Sequence, residues 1–336
     1  MSPADAIFDA LLGCGSVLLT GPVGPDGDSI GACLALARVL RARGVEVWVA
    51  GTPPDRYRWM PGATEMIPDD RVARLEARAV VILDGDRHRL HPAVSDRFAG
   101  AALRGIIDHH ASTAPDGYTH AWLDAAAEST CGMVLRALPG WGVAIDRPLA
   151  ELLYTGLLFD TGGFRHSNTS PEALRLAADL VSTGIDHAAI AIRILHERSP
   201  AALHAMGRIL ADASPGPLCV GRVPWALQQE LALRDGDLEG VVDALVNTVG
   251  AEVGALLIER PDGTVKYSLR SRGGVDVAQL ARALHPTGGG HPRAAGASTL
   301  PGSTRGIADA ERRLRDAIAT ASASDHPRRP LEASTG

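Results

Sequence analysis

The chain has 336 residues, of which 46% are hydrophobic and 21% charged, and a formal charge of −6. That balance excludes a disordered or fibrous chain, and the acidic sign excludes a surface built to neutralise many phosphates along a long nucleic acid. The length is that of two domains of roughly 100–200 residues each. Lys266 is the sole lysine, so arginine carries nearly all the positive charge, and guanidinium suits bidentate phosphate contacts. Cys14, Cys33, Cys131 and Cys219 are scattered with no paired spacing, which reads as reduced thiols. The stretch Met1 to Thr20 holds Asp5 and Asp9 and no basic residue, unlike a signal peptide. No run approaches membrane-spanning length, and the expected location is the cytoplasm.

In chain order, Ser16–Thr20 reads as a strand and a turn-rich loop follows. Ile30, Cys33, Leu34, Ala37 and Leu40 then recur at helical spacing. Gly44 ends that helix and Val45–Ala50 reads as a second strand, completing a βαβ unit whose parallel strands need a helical crossover. Ala79–Leu83 and Gly105–Ile107 read as further buried strands, each running into an acidic or histidine cluster. Pro148–Phe159 predicts a helix that delivers Asp160, and Ser170–Gly184 another, opened by Ser-Pro-Glu. From 188 to 217 the chain is helical, Ala-rich and Pro-punctuated, a connector. A second α/β pattern begins near Leu218, with strands at Leu218–Arg222, Val253–Ile258 and Val265–Arg272 and helices over 238–249, 275–284 and 306–319. The expectation is an α/β protein with an N-terminal parallel-sheet domain (1–187), a helical linker (188–217) and a smaller C-terminal α/β domain (218–324), the active-site cleft lying between the domains. Residues 325–336 read as a mobile tail.

Four clusters stand where an open α/β sheet gathers ligands: Pro25-Asp-Gly-Asp28, Asp84-Gly-Asp86, Asp108-His-His110 and Asp160-Thr-Gly-Gly-Phe-Arg165. Carboxylates and imidazoles converging on one edge repel one another unless a cation sits among them, and mixed oxygen and nitrogen donors suit Mn²⁺ or a similar first-row ion. Two ions about 4 Å apart would clamp both the attacking and the leaving oxygen of a phosphoryl displacement. Taken singly, each cluster has an ordinary explanation. Asp26 and Asp28 suit turns and N-caps, His109 and His110 could be structural, and Arg165 could pair with a carboxylate. Asp86 reads as a solvated neighbour of the site. Their ordered recurrence points to a metal centre.

Further on, Gly288, Gly289 and Gly290 allow a backbone approach that side chains would block, and His291 can donate to phosphate. Along Lys266-Tyr-Ser-Leu-Arg-Ser-Arg272, residues Lys266, Ser268, Arg270 and Arg272 alternate onto one face. That face is either a phosphate-binding surface or the plain polar side of an edge strand. Trp48, Trp59, Trp122, Trp141 and Trp225 are dispersed and read as packing residues rather than a base-stacking platform.

Pro25-Asp-Gly-Asp-Ser-Ile-Gly31, Asp108-His-His110 and Thr155-Gly-Leu-Leu-Phe-Asp-Thr-Gly-Gly-Phe-Arg165 resemble the motifs of the DHH phosphoesterases. Gly288-Gly-Gly-His-Pro-Arg-Ala-Ala-Gly296 is similar to the signature of the DHH-associated C-terminal domain, which grips substrate. Within the family the likeness is to bacterial nanoRNases, which degrade very short oligonucleotides and often dephosphorylate adenosine 3′,5′-bisphosphate. The resemblance implies Asp26, Asp28, Asp84, His109 and Asp160 as ligands to Mn²⁺, one or two ions, with Mg²⁺ or Co²⁺ as substitutes. Asp84, His109, His110 and Asp160 would then carry catalysis, with Asp84 as the bridge between ions. Arg165, Arg270, Arg272, Gly289, Gly290, His291 and Arg293 would hold a short oligonucleotide or nucleotide across the cleft. No long duplex and no membrane is implied, and a homodimer stays open. One position departs from the family pattern: the histidine that normally precedes the Pro-Asp-Gly-Asp motif by three residues is Pro22, which offers no donor. The site could be completed by water or by His88, His91 or His166, could hold one ion, or could have become a nucleotide-binding module without turnover. Within hydrolases, the alternative is a cyclic-dinucleotide, pyrophosphate or polyphosphate phosphatase.

Overall fold

The structure, a computed structural model, describes residues 1–234 and 236–324; the tail expected over 325–336 lies outside the described residues. The chain forms two compact units, one ending at Glu197 and the other starting at Arg198.

In the first unit α1 (Pro3–Cys14) precedes β1 (Ser16–Thr20), α2 (Gly27–Arg41), β2 (Glu46–Val49), β3 (Ala79–Leu83), α3 (Pro92–Gly100), β4 (Leu103–Asp108) and β5 (His120–Leu123). Then come α4 (Thr130–Ala137), α5 (Arg147–Asp160), α6 (Pro171–Val181) and α7 (His187–Ala191). The strands make a parallel sheet in the order β2-β1-β3-β4-β5. Its central strands are continuous aliphatic runs because helices cover both faces. Val17, Leu19, Val81 and Ile107 pack with α1, α2, α4 and α5, while Leu18, Val80 and Ile82 pack with Val94 and Phe98 of α3. The chain leaves β1 for β2 on one side and returns to β3 on the other, so the sheet's switch point lies beyond the carboxyl ends of β1 and β3.

The expected connector divides, because α7 and the π-helical turn Ile192–His196 lie within the first unit and α8 (Pro200–Ala211) within the second. The second unit continues through β6 (Leu218–Val223), α9 (Trp225–Glu230), α10 (Val241–Val246), β7 (Val253–Glu259) and β8 (Val265–Ser271). It ends with α11 (Val277–Leu284), β9 (Gly289–His291), β10 (Ala294–Ser298) and α12 (Ile307–Ser324). The sheet order is β6-β7-β8-β10-β9, parallel between β6 and β7 and antiparallel beyond. One face buries Val253, Ala255, Tyr267 and Leu269 against α11 and α12. Leu256 on the other face meets α8, α9 and α10. Cys14, Cys33, Cys131 and Cys219 are free thiols. Among the described residues no helix is long and apolar enough to cross a membrane.

Candidate metal centre

The loop after β1 ends at Asp26, the N-cap of α2, whose Oδ1 accepts the N–H of Asp28 at 3.0 Å and of Ser29 at 3.2 Å. Asp28, the second residue of α2, is 0% exposed. Its Oδ2 accepts the N–H of Thr130 at 2.6 Å and its Oδ1 that of Cys131 at 2.8 Å. Asp84 follows β3 directly with φ +63, a left-handed conformation that a non-glycine residue adopts at a cost. Its N–H is tied to the Ile107 carbonyl at 3.0 Å, and the hydroxyl of Thr130 donates to its Oδ1 at 3.4 Å. His109 follows β4, and Asp160 is the last residue of α5. One donor atom from each of Asp28, Asp84, His109 and Asp160 lies within 4.8 Å of all the others. His109 Nε2 is 2.9 Å from Asp160 Oδ2, 3.4 Å from Asp84 Oδ1 and 4.0 Å from Asp28 Oδ2. Its Nδ1 lies 3.3 Å from the Ala127 carbonyl, the outward hydrogen bond that orients a ligating imidazole.

The electrostatics of the cluster are set by burial and by the mutual repulsion of its carboxylates. Desolvation, then the charges of Asp84 and Asp160, push the Asp26 carboxyl up to about 8. Desolvation and the same two neighbours lift Asp28 well above the aspartate range, and desolvation lifts Asp160 as well. Burial also acts on Asp84, but hydrogen bonding from His109 and the charges of His110, His109 and Arg89 outweigh it and hold that carboxyl low. Burial disfavours a charged His109 ring, yet hydrogen bonds to Asp160 and Asp84 overcome it and raise the ring to about 12. The pocket thus has more acidic groups than it can keep ionised together, and a proton on His109 supplies the positive charge it wants. Two buried carboxylates, a partly buried third from Asp160 and one buried imidazole are a chemical match for a divalent ion that takes mixed oxygen and nitrogen donors.

His110 is held differently. Its Nδ1 is 2.7 Å from Asp108 Oδ1 and 3.8 Å from Asp84 Oδ1, and Thr113 donates its hydroxyl to the other Asp108 oxygen. Burial opposes the His110 charge, but the Asp108 hydrogen bond and the charges of Asp84 and Asp108 raise its pKa. Among the described residues of the first unit, Asp84, Asp108 and His110 form a second donor group within 4.8 Å, and Asp26 joins no group of three. Pro22 is buried, its ring against Gly85, where an added Cβ would lie 3.2 Å from it. The three histidines weighed as its substitutes have other contacts. His88 Nε2 lies 3.5 Å from the Arg87 guanidinium, His91 caps α3 through Nδ1, and His166 Nδ1 is 3.1 Å from the Asp160 carbonyl. Asp86 accepts the His88 N–H at 2.8 Å. Arg165 is exposed, its Nε donating to the Gly162 carbonyl at 2.6 Å.

In the second unit the alternation of β8 holds, with Val265, Tyr267, Leu269 and Ser271 buried and Lys266, Ser268 and Arg270 on the other side. Arg270 stands opposite Ala294, which stands opposite His291, so Arg270 and His291 share one face of the sheet. Arg270 Nε pairs with Asp243 Oδ1 at 3.1 Å, and Arg272 Nε donates to the Val246 carbonyl at 2.9 Å. Gly290 has φ +137, and a Cβ there would sit 2.4 Å from the Ala294 carbonyl oxygen, so glycine is required. Gly289 has nothing within 4 Å of an added Cβ, leaving its backbone open to approach. Arg293 is exposed and its guanidinium lies against Gly273.

Residues not assigned to the centre from the sequence are Thr130, Cys131, read only as a free thiol, and Gly156, present only within the Thr155–Arg165 motif. Ser129 signals a helix start, but nothing local reveals that the turn it opens faces Asp28. On the far side of Asp28, a Cβ on Gly156 would lie 2.5 Å from Asp28 Oδ1 and 2.3 Å from Cys131 Sγ.

Residues 16–157 match the DHH family, N-terminal domain, and residues 218–321 match the DHHA1 domain. With these matches and a relative 35% identical along most of both chains, the chain belongs to the DHH family of phosphoesterases. That relative is a protein of Thermus thermophilus named bifunctional oligoribonuclease and PAP phosphatase NrnA, aligned over 294 residues, 86% of this chain and 85% of its own. A Bacillus subtilis protein of the same name is 26% identical over 294 residues, 84% of this chain and 89% of its own. A crystal structure described as an exopolyphosphatase-related protein from Bacteroides fragilis is 26% identical and superposes with a TM-score of 0.84, covering 95% of this chain and 96% of that one.

Proposed function

We propose that this chain is a metal-dependent hydrolase that degrades short oligoribonucleotides to mononucleotides and removes phosphate from adenosine 3′,5′-bisphosphate. The observation that carries the metal-dependent part is the convergence of donors from buried Asp28, Asp84 and His109 and from partly buried Asp160 within 4.8 Å. The names of the Thermus thermophilus and Bacillus subtilis relatives support the substrate. When bound, a divalent ion (Mn²⁺, or Mg²⁺ or Co²⁺ in its place) supplies Lewis acidity toward water and a phosphoryl oxygen. Asp28, Asp84, His109 and Asp160 are its holders in this reading, with Asp26 at the margin. His110, oriented through Nδ1 by Asp108, uses Nε2 to donate to an oxygen of the scissile phosphate as charge builds there. Arg165 in the first unit and Arg270, Arg272, Gly289, Gly290, His291 and Arg293 in the second bind substrate phosphate and sugar, supplying the positioning on which phosphoryl transfer depends. A net charge of −6 agrees with short substrates, and free thiols agree with a cytoplasmic setting.

The test is hydrolysis of a 5′-phosphorylated dinucleotide by metal-stripped protein with and without added Mn²⁺, with product analysis. Mononucleotide release that requires Mn²⁺ is expected. Dinucleotide binding without turnover would sink the hydrolase reading and leave a nucleotide-binding module. Polyphosphate and a cyclic dinucleotide run in parallel address the second reading, which the exopolyphosphatase-related description of the Bacteroides fragilis structure favours.

A further inference from the structure

We propose that Thr130 is a positioning residue for the metal centre: its backbone N–H fixes the carboxylate of Asp28 and its hydroxyl steadies Asp84. The inference rests on the metal-dependent reading above and adds how the two ligands are held.

Asp28 is fully buried, and a carboxylate taken out of water needs strong donors on both oxygens. The donors here are backbone groups at the start of α4, Thr130 N–H to Oδ2 at 2.6 Å and Cys131 N–H to Oδ1 at 2.8 Å. Both belong to the orphan amides of a helix N-terminus, where the helix dipole also favours negative charge. One amide on each oxygen fixes the carboxylate plane, and the Cα of Gly156 backs it so closely that a Cβ would come within 2.5 Å of Oδ1. The first turn of α4 is itself pinned. Ser129 Oγ accepts the Gly132 N–H at 2.9 Å, Arg136 grips both oxygens of Glu128 at 2.9 and 3.0 Å, and Asn168 donates to the Glu128 carbonyl at 3.0 Å. The Thr130 hydroxyl, 3.4 Å from Asp84 Oδ1, lets one residue tie together a carboxylate from the first turn of α2 and one that follows β3. Partners behind a ligand matter because they orient it before the ion arrives, and their loss typically costs metal affinity about 10–100-fold.

The geometry allows a selective test. Thr130 is the first residue of α4, the position where proline is tolerated, and Ser129 before it is extended (φ −167, ψ 160), as a residue preceding proline must be. Thr130→Pro therefore deletes the N–H and drives a ring carbon into the space of Asp28 Oδ2, displacing that carboxylate, at a helix position that tolerates proline. Thr130→Val deletes only the hydroxyl, and Thr130→Ser keeps both groups. Mn²⁺ affinity of the metal-stripped full chain is measured by titration calorimetry, with far-UV circular dichroism as the check on folding. Thr130→Pro is expected to weaken Mn²⁺ binding by about 10–100-fold and Thr130→Val by less, while Thr130→Ser stays at the wild-type affinity. Wild-type affinity in Thr130→Pro overturns the proposal. Should that variant not fold, equal affinities in Thr130→Val and Thr130→Ser overturn it instead. A wild-type chain that binds no Mn²⁺ at all would defeat the metal reading itself, a distinct outcome.

Discussion

At the scale of single residues, Pro22 sets the sharpest expectation. It is buried beside Gly85, the residue after Asp84, and brings no donor to that side of the centre. The four-donor set of Asp28, Asp84, His109 and Asp160 does not include that position. We expect the wild-type chain to take up one Mn²⁺ tightly, and Pro22→His to add a second equivalent, read as calorimetric stoichiometry; two tight ions in the wild type would contradict this. Asp108 sets another. Because its Oδ1 holds His110 Nδ1 at 2.7 Å, Asp108→Asn should lower kcat by about 10²-fold, the scale for a misdirected transition-state donor, and leave KM nearly unchanged. A proportional rise in KM would instead mark His110 as a plain binding group. Of the candidate ligands, Asp84 and His109 stand out in the sequence because each directly follows an apolar strand, Asp160 because it closes an apolar helix, and Asp26 and Asp28 because Pro-Asp-Gly-Asp is a turn and N-cap pattern ahead of a helix. The Thr130 contact to Asp28 was not, because the two lie 102 positions apart and a backbone amide leaves no mark in the side-chain pattern.

At the scale of elements, the helices around the centre approach one another through missing side chains. Gly156 on α5 meets Cys131 Sγ and Asp28 where a Cβ would come to 2.3 and 2.5 Å. Gly156→Ala should cost about 1–3 kcal/mol by overpacking, read as a lowered urea midpoint, and should weaken Mn²⁺ binding. Adding Cys131→Ala should restore part of the stability, since it removes one of the two collisions; full independence of the two changes would refute the contact.

In the second unit, Arg222 of β6 grips Glu311 of α12 at 2.7 and 2.8 Å, and Arg315 joins at 2.7 Å. Partial burial raises the Glu311 carboxyl, but these hydrogen bonds outweigh it and hold it below the usual glutamate value of 4.5. A pKa lower in the folded than in the unfolded chain means that the stabilisation is present above 4.5 and is lost as pH falls through the folded value. Glu311→Gln should therefore cost about 1–2 kcal/mol at neutral pH, allowing for the partly exposed guanidinium groups. The gap to wild type should close on acidification, measured as urea midpoints against pH. Most strands were legible from their aliphatic runs, and α2 and α5 from their period. The structure trims the helix expected over 238–249 to α10, because Gly240 at φ +79 starts it late. It also adds β5, four residues none of which is fully buried, and β9, which is Gly-Gly-His. Neither is long enough or apolar enough to leave a readable alternation.

At the scale of the whole molecule, the Asp28, Asp84, His109 and Asp160 cluster belongs to the first unit, and the glycine-rich strand with the Arg270 row belongs to the second. Arg270→Ala should raise KM for a dinucleotide roughly tenfold, the worth of one charged hydrogen bond, without altering Mn²⁺ stoichiometry. An unchanged KM would reduce Arg270 to a structural partner of Asp243. The charge budget predicts the substrate's size. A net charge of −6 argues against a broad basic face that would release many counterions, so few and local phosphate contacts are expected. For single strands the logarithm of affinity falls by about 0.7 per contact for each tenfold rise in salt, so two contacts predict less than about a tenfold loss over a fourfold rise. kcat/KM for a 5′-phosphorylated dinucleotide measured across that range should show this shallow slope, and lengthening the substrate should not steepen it if the contacts stay local to its end. A slope that grew with substrate length would mean that the chain tracks a polymer, and the preference for very short substrates would have to arise from something other than charge.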